Sequence, residues 1–354
     1  MADRLKILIV KMSAIGDVIH TLPALNAIRK HYPDAHITWL VEEAAAEIVA
    51  GHKALDRVIL SKRKKWIKDL FSSKFNHALK KIICFIKELR DTKYDIVIDF
   101  QGLLKSGIMV MLSKGQKKIG FDKGMDHAES SHIFYNVRIA PVSMEIHALK
   151  RGLLLLAALK IPSEKIEYNL PISNKERQNL DHLLRQKGLD PDKPIICINP
   201  QATWETKLWS SRKFALLSDR ILEEYPANII FTGGKSDREA INDIISMMQT
   251  SVISLAGLTT LKTLAALYEK AVLLVTTDTG PMHLGAAMGT KVTAIFGSTA
   301  PWRTGPYGDN NIIVRSNLHC SPCFKRQCST KECMENINVD DIMEKIEQLM
   351  EQNP

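Results

Sequence analysis

The residues best able to do chemistry in this 354-residue chain sit in two short loops far apart in sequence. The first loop holds Ser13, Gly16 and Asp17. It follows the apolar run Ile7-Leu8-Ile9-Val10 and precedes Val18, Ile19, Leu22, Leu25 and Ile28, which recur at helical spacing. A carboxylate at a helix start has two readings. It can cap the helix by accepting backbone N–H bonds, or it can act as a base toward a substrate hydroxyl. The second loop is Asp278-Thr279-Gly280-Pro281-Met282-His283, after the run Ala271 to Thr277. Proline suits the first turn of a helix, so the N–H groups at that start can face a phosphate. His283, one turn in, can add a charge-assisted bond. Asp278 could equally cap the helix. An Asp-Thr-Gly triplet also occurs in aspartic proteases, which need two carboxylates sharing a proton. The chain has one such triplet, in a strand–turn–helix setting.

Other motifs narrow the chemistry. The Asp17 loop lacks the G-x-G-x-x-G of dinucleotide-binding enzymes. Thr232-Gly233-Gly234-Lys235-Ser236-Asp237 resembles the end of a P-loop, but that motif needs glycine at 229, where the chain has Ile229. The glycine pair reads instead as backbone able to approach a nucleotide. Cys320, Cys323, Cys328 and Cys333 form a C-x2-C-x4-C-x4-C cluster. In a cytosolic chain such spacing points to metal or redox chemistry rather than a disulfide framework. The last two cysteines lack zinc-knuckle spacing, so a structural metal, reduced thiols and a labile disulfide all stay open.

The elements that must position these residues follow an α/β rhythm. Strands are expected near 5–10, 37–41, 57–60, 94–100 and 117–121, the last short and edge-like, with helices near 18–31, 103–112 and 145–159 between and after them. After a proline-punctuated linker from Ile161 to Pro171, helices near 174–187, 211–224, 237–248, 260–269 and 281–288 alternate with strands near 194–199, 228–232, 252–254, 271–276 and 291–296. The reading is two doubly wound domains, 1–162 and 172–335. Residues 336–354 are expected to form a helix packing back on the first domain. Apolar content of 45% allows each half a core. No run approaches the roughly 20 apolar residues of a membrane span and no signal peptide is read, so a soluble cytoplasmic protein is expected.

The net charge of +9 is concentrated in residues 62–93, where eleven lysines and arginines face three acids. Phe75, Leu79, Ile82, Ile83, Phe85, Ile86 and Leu89 recur there at helical spacing, with Trp66 and Phe71 nearby. A basic amphipathic helix suits an anionic membrane surface; nucleic acid binding and a plain solvated face are the rival readings.

Ser13, Gly16, Asp17, His20, Thr21, Pro23, Ala24 and Leu25 together resemble the first loop of glycosyltransferase family 9, the bacterial heptosyltransferases. Asp278, Thr279, Gly280 and His283 match the family's Asp-Thr/Ser-Gly-x-x-His. Thr203, Lys207, Trp209 and Phe214 match a third loop. Lys64-Lys65-Trp66 with Lys68, then Phe134-Tyr135-Asn136 and His147, are similar to the first-step subgroup; His127 and Ile67 depart from it.

The resemblance implies a GT-B fold, two Rossmann-like domains facing across a cleft. It also implies inverting, metal-independent transfer of heptose from ADP-heptose to the Kdo-lipid A inner core of lipopolysaccharide. Asp17 is then the general base. Thr203, Lys207, Ser236, Asp237, Leu258, Asp278, Thr279, Gly280 and His283 are donor contacts, with Thr299 a further phosphate contact. Ser13, Gly16, Lys64, Lys65, Lys68 and His147 are acceptor contacts. No cofactor and no nucleic acid partner are implied, and the enzyme sits peripherally at the cytoplasmic face of the inner membrane. Another family 9 transferase, a sugar-nucleotide epimerase, or a non-enzymatic basic protein binding membrane or RNA are the alternatives.

Overall fold

The computed structural model describes residues 4–126, 129–162 and 165–351; His127 lies outside them. The chain divides into two compact units, residues 1–171 and 172–354. In the first, strands β1 (Lys6–Val10), β2 (His36–Glu42), β3 (Arg57–Ser61), β4 (Lys93–Asp99), β5 (Lys114–Phe121) and β6 (Val137–Ile139) form one sheet in the order β3-β2-β1-β4-β5-β6. Every pairing is parallel. Parallel sheets are covered on both faces, which is why β1 is a continuous apolar run with Ile7, Leu8, Ile9 and Val10 fully buried. β5 is longer than expected and is not the edge; the three-residue β6 covers it.

The second unit repeats this plan. Strands β7 (Ile195–Asn199), β8 (Asn228–Phe231), β9 (Ile253–Ser254), β10 (Ala271–Thr277), β11 (Lys291–Phe296) and β12 (Asn311–Arg315) lie in the order β12-β11-β10-β7-β8-β9, again all parallel. Counted from its own first strand, each unit has the Rossmann order 3-2-1-4-5-6. The strand order reverses between β1 and β4 in one unit and between β7 and β10 in the other. Open α/β sheets bind ligands at the carboxyl ends of the strands at that reversal.

The last helix, Val339–Glu351, packs on the second unit's own core. Its Ile342, Met343, Ile346 and Leu349 lie in one buried cluster with Phe214, Leu217 and Ile221 of the helix Ser211–Glu224. Trp209 Nε1 donates to Ile337 O at 3.0 Å, and Arg220 pairs with Asp340. An apolar helix face is held by the nearest uncovered apolar surface, here the second unit's own.

Candidate active site

In the first unit, Val10 at the end of β1 stands beside Asp99 of β4 and Leu40 of β2. Loops therefore leave the reversal point side by side. A cavity of about 300 Å³ opens there, lined by Lys11, Asp17, His20, Asp99, Gln101 and Arg151 among others. Asp17 is the third residue of the helix Ile15–His31. Its Oδ2 accepts from Ala14 N at 3.3 Å and lies 3.8 Å from Lys11 Nζ. Capping and ion pairing thus both use Oδ2. The carboxylate is 41% exposed, whereas Lys11 is 11% exposed and is held by Phe100 O at 3.0 Å.

Side chains from the neighbouring loops fix this one. Gln101 Oε1 accepts from Met12 N at 3.1 Å and Ser13 N at 3.0 Å. Lys105 Nζ donates to Ser13 Oγ at 2.7 Å. The buried Glu42 carboxylate gathers three cations: Arg63 at 3.4 Å, Lys105 at 3.9 Å and Lys64 at 4.0 Å. Burial pulls the Lys105 ammonium below its ordinary value; Glu42 opposes this, and Arg63, Lys64 and Lys11 add to it. Asp99 accepts from Gln101 N at 2.9 Å, Gly102 N at 3.0 Å and Tyr135 Oη at 2.7 Å. Burial pushes its carboxyl above the usual range, and those donors pull it back.

His147, expected among the acceptor contacts, caps the helix Ala148–Leu154 by accepting Leu149 N at Nδ1, 3.2 Å away. Its ring stands edge-on to His20, centroids 5.0 Å apart. Lys64, Lys65 and Lys68 lie exposed on the helix Arg63–Leu70, which buries no residue. Lys11, Glu42, Asp99, Gln101, Lys105 and Arg151 were not singled out from sequence. Position just after β4, the other strand of the reversal, is the signal that could have found Gln101 and Lys105.

In the second unit the loops after β7 and β10 meet in the same way. Lys207 Nζ lies 2.6 Å from Asp278 Oδ2, and Thr299 Oγ1 donates to that same oxygen at 2.6 Å. Asp278 does not cap the following helix. Thr279 is the N-cap residue of Gly280–Ala287 and Pro281 sits in its first turn. His283 is buried one turn along. Lys207 Nζ also stands 4.6 Å from the centroid of the Trp204 ring. Thr203 is exposed on the same loop.

Asp237 accepts Gly234 N at 2.7 Å and so closes the turn holding Ser236. Gly257 N donates to Gly233 O at 2.8 Å, so the loops after β8 and β9 touch. Gly257 has φ +65°, and a Cβ there would come within 2.8 Å of Lys235 Cα; only glycine fits. Leu258 beside it is 44% exposed. The residues expected on the donor side therefore converge at the carboxyl end of one sheet, or lie on its loops.

For the four C-terminal cysteines, metal, reduced thiols and a labile disulfide are the readings the sequence leaves open. Among the described residues no three or more His, Cys, Asp or Glu side chains are arranged to hold a metal ion. Cys333 is buried against the core while Cys320 and Cys328 are exposed, and all four are free thiols.

Two parallel sheets in this strand order, each with polar loops at its reversal point, define a GT-B type glycosyltransferase fold. The chain belongs to glycosyltransferase family 9 (heptosyltransferase), whose model matches residues 82–334. It is 32% identical to lipopolysaccharide heptosyltransferase 1 of Pseudomonas aeruginosa over 346 residues, 96% of this chain and 91% of that protein. Its fold is similar to the solved structure of E. coli heptosyltransferase WaaC with ADP, at TM-score 0.79 and 26% identity, over 98% of this chain and 100% of that one. The same enzyme with ADP-2-deoxy-2-fluoro heptose aligns at TM-score 0.76 and 25% identity, over 97% and 99% of the two chains.

Proposed function

We propose that this chain transfers L-glycero-D-manno-heptose from ADP-heptose to the Kdo-lipid A inner core, with inversion and without a catalytic metal. The observation that carries the reading is the Lys207–Asp278–Thr299 group beside the start of the helix Gly280–Ala287. A lysine held by a buried carboxylate, next to outward-facing N–H groups, suits a departing diphosphate. The relatives solved with ADP and with a fluorinated ADP-heptose support that donor.

In this mechanism Oδ1 of Asp17 takes the proton from an acceptor hydroxyl. The hydroxyl oxygen forms a bond to the anomeric carbon as the carbon–oxygen bond to ADP breaks, and ADP leaves with the electron pair. Lys207 offsets its charge; Asp278 holds the ammonium in place until then. On the acceptor side, Arg63, Lys64 and Lys105 around Glu42, with the exposed Lys65 and Lys68, suit the carboxylates and phosphates of Kdo-lipid A.

Phe75, Leu79 and Ile83 are spaced four apart on the helix Phe75–Leu89 and are 50%, 42% and 45% exposed; Phe71 before them is 89% exposed. Lys74, Lys80 and Lys87 lie among them. An apolar face fringed by lysines fits an anionic bilayer and supports peripheral action at the cytoplasmic face of the inner membrane. No described helix is long and apolar enough to cross a membrane.

The test is Asp17→Asn. Transfer is expected to fall by about 10²–10⁴ while ADP still raises the melting temperature. Turnover near that of the parent would remove Asp17 as base. A parent protein that no ADP-sugar stabilises would remove the donor reading.

A further inference from the structure

The segment carrying Cys320, Cys323 and Cys328, between β12 and the helix Glu332–Glu335 that holds Cys333, has no regular structure of its own for most of its length. It is nevertheless tied at several points to the two loops that grip Asp278. Cys323 N and Phe324 N donate to Ser298 O at 3.0 and 2.8 Å. Ser321 Oγ donates to Gly297 O at 2.7 Å. Lys331 Nζ lies 3.6 Å from Glu205 Oε1. Met334 packs so close to Gly297 that a Cβ there would meet its sulfur at 2.4 Å. Arg326 stands against the Trp204 ring, 5.1 Å from its centroid, the same ring that Lys207 contacts.

Two hydroxyls form the centre of this stitching. Ser298 Oγ donates to Thr206 Oγ1 at 2.9 Å, and Thr206 Oγ1 donates to Lys325 O at 2.7 Å. Both residues are 1% exposed. Each precedes a residue that holds Asp278: Thr206 is followed by Lys207 and Ser298 by Thr299. A rivet between Thr206 and Ser298 therefore sets the distance between the two groups that hold one carboxylate oxygen.

We infer that Thr206 and Ser298 are positioning residues for the donor-phosphate grip, and that the cysteine-bearing segment is the strap that holds them in register. The inference rests on the donor reading above. Losing the Thr206 hydroxyl leaves Lys325 O without its donor inside the protein and lets the Lys207 loop shift. Misplacement of a binding group by a fraction of an ångström is costly. The strap and the donor are then linked, because whatever ADP gains from the aligned loops it returns by holding the strap closed.

The experiment compares Thr206→Val, which keeps the shape and drops the hydroxyl, with Thr206→Ser, which keeps the hydroxyl and drops the methyl. ADP affinity is read by calorimetry, and KM for ADP-heptose apart from kcat. Thr206→Val is expected to weaken ADP about tenfold, the equivalent of one buried hydrogen bond. Thr206→Ser should stay within about threefold of the parent. Ser298→Ala breaks the same link from the other side and stands in should Thr206→Val fail to fold. The buried Cys333 thiol reports strap opening: saturating ADP should slow its alkylation in the parent and much less in Thr206→Val.

Parent-like ADP binding in both Thr206→Val and Ser298→Ala would overturn the inference. So would equal losses in the valine and serine variants, which would make the methyl's packing responsible, or an alkylation rate that ADP leaves unchanged. A parent protein that does not bind ADP at all would instead overturn the donor reading.

Discussion

Asp99 illustrates how a structural carboxylate differs from Asp17, the one proposed as the base. It is more buried than Asp17, yet its oxygens are taken by two backbone N–H groups and the Tyr135 hydroxyl. It orients the loop that carries Gln101. Tyr135→Phe removes one of those donors from a buried acid whose burial already disfavours its charged form. A stability loss of about 1–3 kcal/mol is expected, read from the urea midpoint. Lys207→Met should raise KM for ADP-heptose far more than KM for the acceptor; equal rises in the two would argue against its donor role.

Much of this residue-scale picture was legible. Asp17 and the Asp278–His283 stretch each sit next to the element that presents them, so local spacing shows them. The partners were not: Lys105 and the Ser13 it binds are 92 residues apart, and only the order of strands in the sheet brings them together. A lysine after a strand reads on its own as a solvated end.

Elements were legible in proportion to their apolar length. The long strands and most helices lie within a few residues of where periodicity puts them. β6 spans three residues and β12 sits among polar neighbours, and both escaped. The helix Phe75–Leu89 has an apolar arc wider than its sheet can cover. Ala78, Phe85 and Leu89 face inward, and at about 100° per residue Phe75, Leu79 and Ile83 fall on the adjoining arc and stay in water. Leu79→Gln with Ile83→Gln should therefore lower binding to anionic vesicles about tenfold. Turnover of an acceptor stripped of its acyl chains should be unchanged. Undiminished vesicle binding would remove this face as the contact.

His52 ties two segments of the first unit. Nδ1 accepts Ala54 N at 3.1 Å, so Nε2 carries the proton that meets Tyr168 O, also at 3.1 Å. Burial holds the ring's pKa below the ordinary 6.5, against the pull of that carbonyl. The neutral ring's contribution to stability is full above 6.5 and is lost as pH falls through that value toward the folded-state one. Denaturation midpoints measured between about pH 5 and pH 7.5 should fall on acidification in the parent, and less in His52→Gln.

At the scale of the molecule, each unit has its own six-stranded sheet and buried cluster. A chain built this way need not unfold in one step. Calorimetry with ADP at about 100 times its Kd should move one of two transitions, the second unit's, by about 2.7 kcal/mol. A single transition shifting as a whole would show the units melting together.

The repeated strand order also has a bearing on inheritance. The candidate donor loops hang from one sheet and the acceptor loops from another, and no residue assigned to one task serves the other's scaffold. Descendants of such a chain could trade one sugar nucleotide for another by altering a few loops after β7 to β11, while their acceptor preference passed down untouched. Grafting residues 172–351 from a family member with another donor is the bench version of that history.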